Sequence, residues 1–525
     1  MRRFGRSVVA VVLALFGTVL LAVAWTAATA VQLAATALIM GGTGHPLSTP
    51  GDDPISYINP YMSNAVNGFI NLAAARPTGT GNAPIADVDP GDDRYAVITP
   101  EEFFPVAGAM TFDNSVAIGR ANMNDCVRGA GCVYNHNGLL DPDPPAAAPV
   151  IGDEFVIFGY SQSSVIASLV KRDLIENPGE TPAVTSIFLL ANPMRPNGGI
   201  LARGLGGLTI PILGVTFYGA TPTNSCDTGN CIRTVDAVIQ YDLLGGDAPA
   251  SITNPLALLN SLVAYLYLHG PLQNANFGDA LYQGSYGDTD YYLFPSKRLP
   301  LLMPLEPIVP SPILTFLDAP LRAAIEGGYA RGINPGIPTG MSLLPFLNPV
   351  QTIINIIAAI PVGIDDALAE IAGDPSFRPL GTAPVTSPFG VGGPNLPEPP
   401  TETDDGEALA ASSSQWDEAT PDEAVDELGD EASEPDEEDG ADGAEENEVI
   451  EEDSEEGIDE GIEEDEADEV IEEDLDEILD EDAEEETLDE VTDEVETEET
   501  SEPQDSSATD DDSTTTTGTD GQAAA

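Results

Sequence analysis

Between Glu154 and Ile175 the chain passes from a continuous apolar segment, Glu154-Phe155-Val156-Ile157-Phe158, through Gly159-Tyr160-Ser161-Gln162-Ser163 into a stretch with helical spacing from Val165 to Ile175. Strand, sharp turn and helix in that order constrain the fold more than any other feature. An apolar strand without alternation is one covered on both faces, as in a parallel sheet flanked by helices. Further strands are expected over residues 35–40, 185–190 and 234–241, with helix-length segments between them, which is the α/β pattern. Apolar helices are expected over residues 255–268, 313–325 and 350–371, where core packing is their ordinary explanation. A sheet of this kind holds its chemistry at the carboxyl edge.

The turn itself carries a candidate nucleophile. A hydroxyl attacks an acyl carbonyl only when a base takes its proton and donors stabilise the oxyanion. In the nucleophile elbow of α/β-hydrolase folds the serine sits on a strained strand-to-helix turn with small residues two positions either side, places filled here by Gly159 and Ser163 around Ser161. The Gln162 N–H, at the helix start, is one expected oxyanion donor, and Gly42 in the loop Gly41-Gly42-Thr43-Gly44 the other. The bland alternative is a surface Gly/Ser turn. Only three histidines exist, His45, His136 and His269. The hydrolase order of serine, acid, histidine leaves His269 as base, with Asp242, at the end of the fourth strand, ahead of Asp247 as the acid. His45 is expected to border the site, and His136 to be an exposed loop residue.

Charge is so unevenly placed that it divides the chain. Residues 401–525 hold 58 Asp and Glu and no Lys or Arg, whereas residues 1–400 hold 32 acidic and 17 basic residues. Such a tail cannot bury enough apolar surface to order itself, and is expected to be disordered, with weak binding of cations or basic partners its expected contact. Without a basic stripe the chain is not a nucleic-acid binder. Residues 1–30 combine the basic start Arg2, Arg3, Arg6 with an apolar run from Ser7 to Ala24, an export signal that is either cleaved or kept as a membrane anchor. The expected location is therefore secreted or membrane-anchored, at the cell envelope. Cys126 with Cys132, and Cys226 with Cys231, are close in sequence and fit two local disulfides of an exported protein. Neither pair has zinc spacing, so no metal and no cofactor is expected. A Pro/Gly-rich linker over residues 385–400 would separate a catalytic body, 31–384, from the tail.

The residues Met40-Gly41-Gly42-Thr43-Gly44, Gly159-Tyr160-Ser161-Gln162-Ser163-Ser164, Asn192-Pro193-Met194-Arg195-Pro196-Asn197-Gly198-Gly199, Gln240-Tyr241-Asp242 and Tyr267-Leu268-His269-Gly270 together resemble the PE-PPE domain, as do Leu299-Pro300-Leu301-Leu302 and Gly328-Tyr329. That family is one of cutinase-like serine α/β-hydrolases of mycobacterial envelopes. The resemblance implies a triad of Ser161, Asp242 and His269, and activity as an esterase or an acyltransferase on lipid or glycolipid esters, trehalose esters among them. Two features depart from the family pattern: no PE or PPE helical module is read ahead of the domain, and the acidic tail lies outside it. The competing class is a non-catalytic envelope or adhesion protein that displays the tail on a hydrolase-like fold.

Overall fold

The computed structural model describes residues 35–49, 52–89, 94–150, 152–179 and 185–401. The expected export leader (1–30) and nearly all of the expected disordered tail (401–525) lie outside them. Strands β1 (Thr36–Ile39), β2 (Arg94–Ala96), β3 (Phe155–Tyr160), β4 (Thr185–Leu190), β7 (Thr234–Ile239), β8 (Leu281–Tyr286) and β9 (Thr289–Phe294) form one sheet in the order β2-β1-β3-β4-β7-β9-β8. Pairing is parallel except between β8 and β9, and a small ribbon of β5 (Thr209–Ile210) and β6 (Val215–Thr216) stands apart. This is the expected α/β architecture with a mostly parallel sheet.

Every residue of β3 and β4 is buried, and neighbouring residues along a strand serve opposite faces. Ile39 and Phe158 pack on one face with Phe69 of the helix at residues 55–74, α1. Leu38 and Ile157 pack on the other with α2 (Phe112–Val127) and α3 (Gln162–Glu176), through Met123 and Val165. Gly119 of α2 lets those two helices close: a Cβ there would stand 2.4 Å from Ile166 Cδ1. A third apolar cluster joins α4 (Pro255–Ala264) to α5 (Ser311–Glu326) through Ala257, Leu299, Leu302 and Leu314, so core packing accounts for much of the apolar sequence there. Helix α6 (Pro349–Ala372) lies against α5. Both disulfides are formed, Cys126–Cys132 and Cys226–Cys231.

One boundary differs from expectation. Residues 385–400 are not a free linker but pack on the body. Phe389 is 2% exposed against Val238 and Leu293, and the Pro388 carbonyl accepts from Gln240 Nε2 at 3.0 Å. Proline and glycine counts suggested a spacer, but one buried aromatic ring is enough to dock such a segment.

Candidate active site

β1 and β3 are adjacent, and the chain leaves them toward opposite sides of the sheet, which opens a crevice at their carboxyl ends. The glycine loop follows β1 and Ser161 follows β3, so both flank that crevice. Ser161 has φ 59° and ψ −115°, a conformation costly for a residue with a Cβ. Its surroundings hold it there. The Ser161 N–H donates to the Leu190 carbonyl at 2.9 Å, and Ser163 Oγ bridges the Tyr160 N–H and carbonyl at 2.8 and 3.1 Å. Only glycine fits two residues before the serine, because a Cβ at Gly159 would stand 2.6 Å from the Ser163 carbonyl oxygen. Ala191 and Tyr241, at the same sheet edge, also carry positive φ, 54° and 75°.

The structure brings Ser161, His269 and Asp242 together. His269 Nε2 lies 2.8 Å from Ser161 Oγ, and His269 Nδ1 lies 2.6 Å from Asp242 Oδ2. Asp242 is fully buried, and its other oxygen accepts the Gly245 N–H at 2.9 Å. With both oxygens engaged the carboxylate cannot swing away from the ring, and Nδ1 is fixed as a donor. His269 ends the π-helical turn Tyr265–His269 that continues α4, a local widening of the kind that often marks functional sites. Tyr160 donates its hydroxyl to the His269 carbonyl at 2.6 Å and stacks on the imidazole. Burial, with the nearby Asp242 charge adding to it, holds the Tyr160 phenol well above its ordinary pKa, so it stays a donor. Asp247, the other acid considered, points elsewhere: it pairs with Arg331 at 2.5 and 3.0 Å and accepts the Tyr241 N–H at 2.6 Å.

The two expected oxyanion donors lie on neighbouring segments. Gln162 heads α3, where an N–H has no intrahelical partner. Its side chain ties that helix start to the glycine loop, accepting from Thr43 Oγ1 at 2.9 Å and donating to Ser115 Oγ at 2.8 Å. Gly42 lies flat on the elbow, since a Cβ there would meet the Tyr160 ring at 2.8 Å. His45 is outside the relay: its Nδ1 lies 2.8 Å from Asp53 Oδ1 and its ring stacks on Tyr57. His136 is exposed, against Tyr134. Among the described residues no cluster of metal-ligating side chains occurs.

Sequence reading missed Tyr160, Gly245, Thr43 and Glu101 as supports of this site. Glu101 is fully buried with φ 50°, and its carbonyl accepts the Gly44 N–H at 2.7 Å, which pins the glycine loop. Thr99 Oγ1 donates to Glu101 Oε1 at 2.6 Å, while Oε2 has no partner among the described residues. Burial pushes this carboxyl up to about 8. The native state therefore holds a proton that the unfolded chain releases above its ordinary value near 4.5, and stability falls as pH rises between the two. Glu101→Gln removes the penalty. Its Tm is expected to pull further above that of wild type at pH 9 than at pH 5, measured by differential scanning fluorimetry; an equal offset at both values would show that Glu101 does not titrate in this window.

Comparison with known proteins agrees with this architecture. Residues 90–330 match the PE-PPE domain model, a span that starts after the glycine loop. An uncharacterised PPE family protein, PPE42, of Mycobacterium tuberculosis (strain CDC 1551 / Oshkosh) is 31% identical over 363 residues, 66% of this chain and 53% of the relative. Esterase PE16 of Mycobacterium tuberculosis (strain ATCC 25618 / H37Rv) is 34% identical over 333 residues, 59% of this chain and 58% of the relative. PE family protein PE3 of the same strain is 30% identical over 365 residues, 67% of this chain and 66% of the relative. The chain thus spans from about half to about two thirds of the length of these relatives. By this match, and by the fold that carries it, residues 90–330 of the chain are a PE-PPE domain, and its relatives are PE and PPE family proteins.

Proposed function

We propose that this protein is a serine-dependent esterase or acyltransferase of the cell envelope that acts on lipid or glycolipid acyl esters. The observation that carries the reading is the continuous hydrogen-bonded line Ser161–His269–Asp242 on a strained elbow. A non-catalytic scaffold has no use for backbone strain at a serine whose hydroxyl is aimed at an imidazole. The relative named as an esterase supports the same general chemistry, and the two disulfides support an oxidising, extracytoplasmic location.

In this mechanism Ser161 Oγ attacks the acyl carbonyl as its proton passes to His269 Nε2. Asp242 stabilises the imidazolium without taking a proton itself. The oxyanion is held by the N–H groups of Gln162 and Gly42. His269 then protonates the departing alkoxide, leaving an acyl-enzyme at Ser161. Water or a second alcohol, deprotonated by His269, releases the acyl group and restores the serine.

Hydrolysis and transfer part company only at that last step. With a chromogenic acyl ester as donor, wild type is expected to turn over, and mass spectrometry of reactions containing trehalose or a monoacyl trehalose is expected to find acylated sugar beside free fatty acid. Free acid alone, at every acceptor concentration, would restrict the enzyme to hydrolysis. Absence of turnover on any ester would remove the catalytic reading altogether.

A further inference from the structure

Charged residues stop where the relay histidine's helix begins. Residues 248–278 and 332–364 contain no Asp, Glu, Lys or Arg, although residues 1–400 carry 49 of them. Both stretches also leave large apolar side chains in the open. On α4 and the π-helical turn that continues it, Leu259, Leu262 and Leu266 are exposed to 48%, 44% and 65%; on α6, Ile353, Ile354 and Ile357 to 53%, 52% and 63%. The spacing places each trio on one helix face. The two stretches are also bound to one another. Ser342 N–H donates to the Ala250 carbonyl at 2.8 Å and Ile252 N–H to the Ser342 carbonyl at 3.1 Å. The turn after α5 is flanked by both helices, Gly327 against Thr352 and Gly328 against Ala257.

We propose that these exposed faces of α4 and α6 form a lipid-docking surface, which seats the protein on the acyl region of an uncharged or zwitterionic lipid layer with His269 at its margin. The inference deepens the acyl-ester reading and rests on it. Apolar side chains scattered singly need no explanation, but a charge-free run of them signals a non-aqueous partner. A second copy fits poorly, because each full chain carries a formal net charge of −73 and two copies repel. Protein interfaces also carry about one hydrogen bond per 100–200 Å², whereas these faces offer side chains that make none. Lipid tails ask for none. Helix α6 is long and apolar enough to cross a membrane by length and composition, yet one side of it is packed along α5. That leaves it lying in the interface with its free side toward lipid, as an interfacial helix does. The excess of acid over base in the body predicts weaker binding to anionic lipid.

The test uses the full chain with a polarity-sensitive fluorophore on Ile357→Cys, and the same label on Ile118→Cys of α2, exposed to 50%, as the control. The four native cysteines are paired, so each label reports one position. Phosphatidylcholine vesicles are expected to blue-shift the label at 357 and not at 118, with a smaller shift from phosphatidylglycerol vesicles. Adding Ile353→Glu and Ile354→Glu is expected to abolish the shift while turnover of a water-soluble ester stays within twofold of wild type. No shift with either lipid, equal shifts at both labels, or a shift at 357 that grows with protein concentration without vesicles would overturn the proposal. Failure of the serine chemistry itself appears separately, as loss of turnover on the soluble ester while the lipid-induced shift persists.

Discussion

Ser161→Ala is expected to lower kcat on an acyl ester by a factor on the order of 10⁶, the precedent set by triad knockouts in subtilisin. Asp242→Asn should lower it by about 10⁴, the precedent for a triad aspartate in a serine protease. The serine variant loses the atom that forms the acyl bond. The asparagine variant keeps the shape of the turn but loses the carboxylate 2.6 Å from His269 Nδ1. Either an amide N–H then faces the imidazole N–H, or the ring adopts the tautomer that cannot accept the Ser161 proton. Both variants should fold, because among the described residues Ser161 makes no side-chain hydrogen bond other than to His269, and the amide oxygen introduced by Asp242→Asn can still accept the Gly245 N–H. Steady-state kinetics beside circular dichroism checks this. A Ser161→Ala variant within tenfold of wild type would contradict the assignment.

Asp247→Ala is expected to do the opposite, damaging the fold far more than the chemistry. Asp247 is 5% exposed, receives two hydrogen bonds from Arg331, and accepts the N–H of Tyr241, whose φ of 75° that bond helps to hold. Removing one partner of a buried pair leaves the other charge poorly compensated, at a cost of about 3–5 kcal/mol. Glu326 still pairs with Arg331 at 2.8 Å, which places the expected loss near ~3 kcal/mol, the lower end of that range. For a body of about 360 residues that is roughly 4 °C in Tm. The protein that remains folded should keep a kcat well above that of Asp242→Asn. If Asp247→Ala melts like wild type but is crippled in kcat, the roles of the two aspartates have been exchanged.

The elbow was legible because its chemistry is local: an apolar strand, Gly159, Ser161 and an apolar helix are contiguous, and steric demands at each position restrict residue type. His269 was legible because only one histidine follows Ser161. Asp242 over Asp247 was a matter of strand-end position, and distance separates them only once the loop is folded. Elsewhere local pattern failed for identifiable reasons. β9 reads Thr-Asp-Tyr-Tyr-Leu-Phe, yet every residue is buried, since Asp290 meets Arg233 and Tyr291 lies under Arg195. Polar partners distant in sequence bury what composition would expose. The helix at residues 55–74 contains Pro60 and a π-helical segment, Ala65–Ile70, which break the regular period. β2 is three residues long, too short to carry alternation. Tyr160 and Glu101 support the site through contacts to His269 and to the Gly44 N–H, which no spacing rule encodes.

The central claim is that Ser161 is a nucleophile activated by His269, and covalent capture tests it most directly. The full chain is incubated with a fluorophosphonate, digested, and mapped by mass spectrometry. The predicted result is one adduct, on Ser161, lost in Ser161→Ala and strongly slowed in His269→Ala. No adduct on folded wild type, or an adduct that persists unchanged in Ser161→Ala, would contradict it.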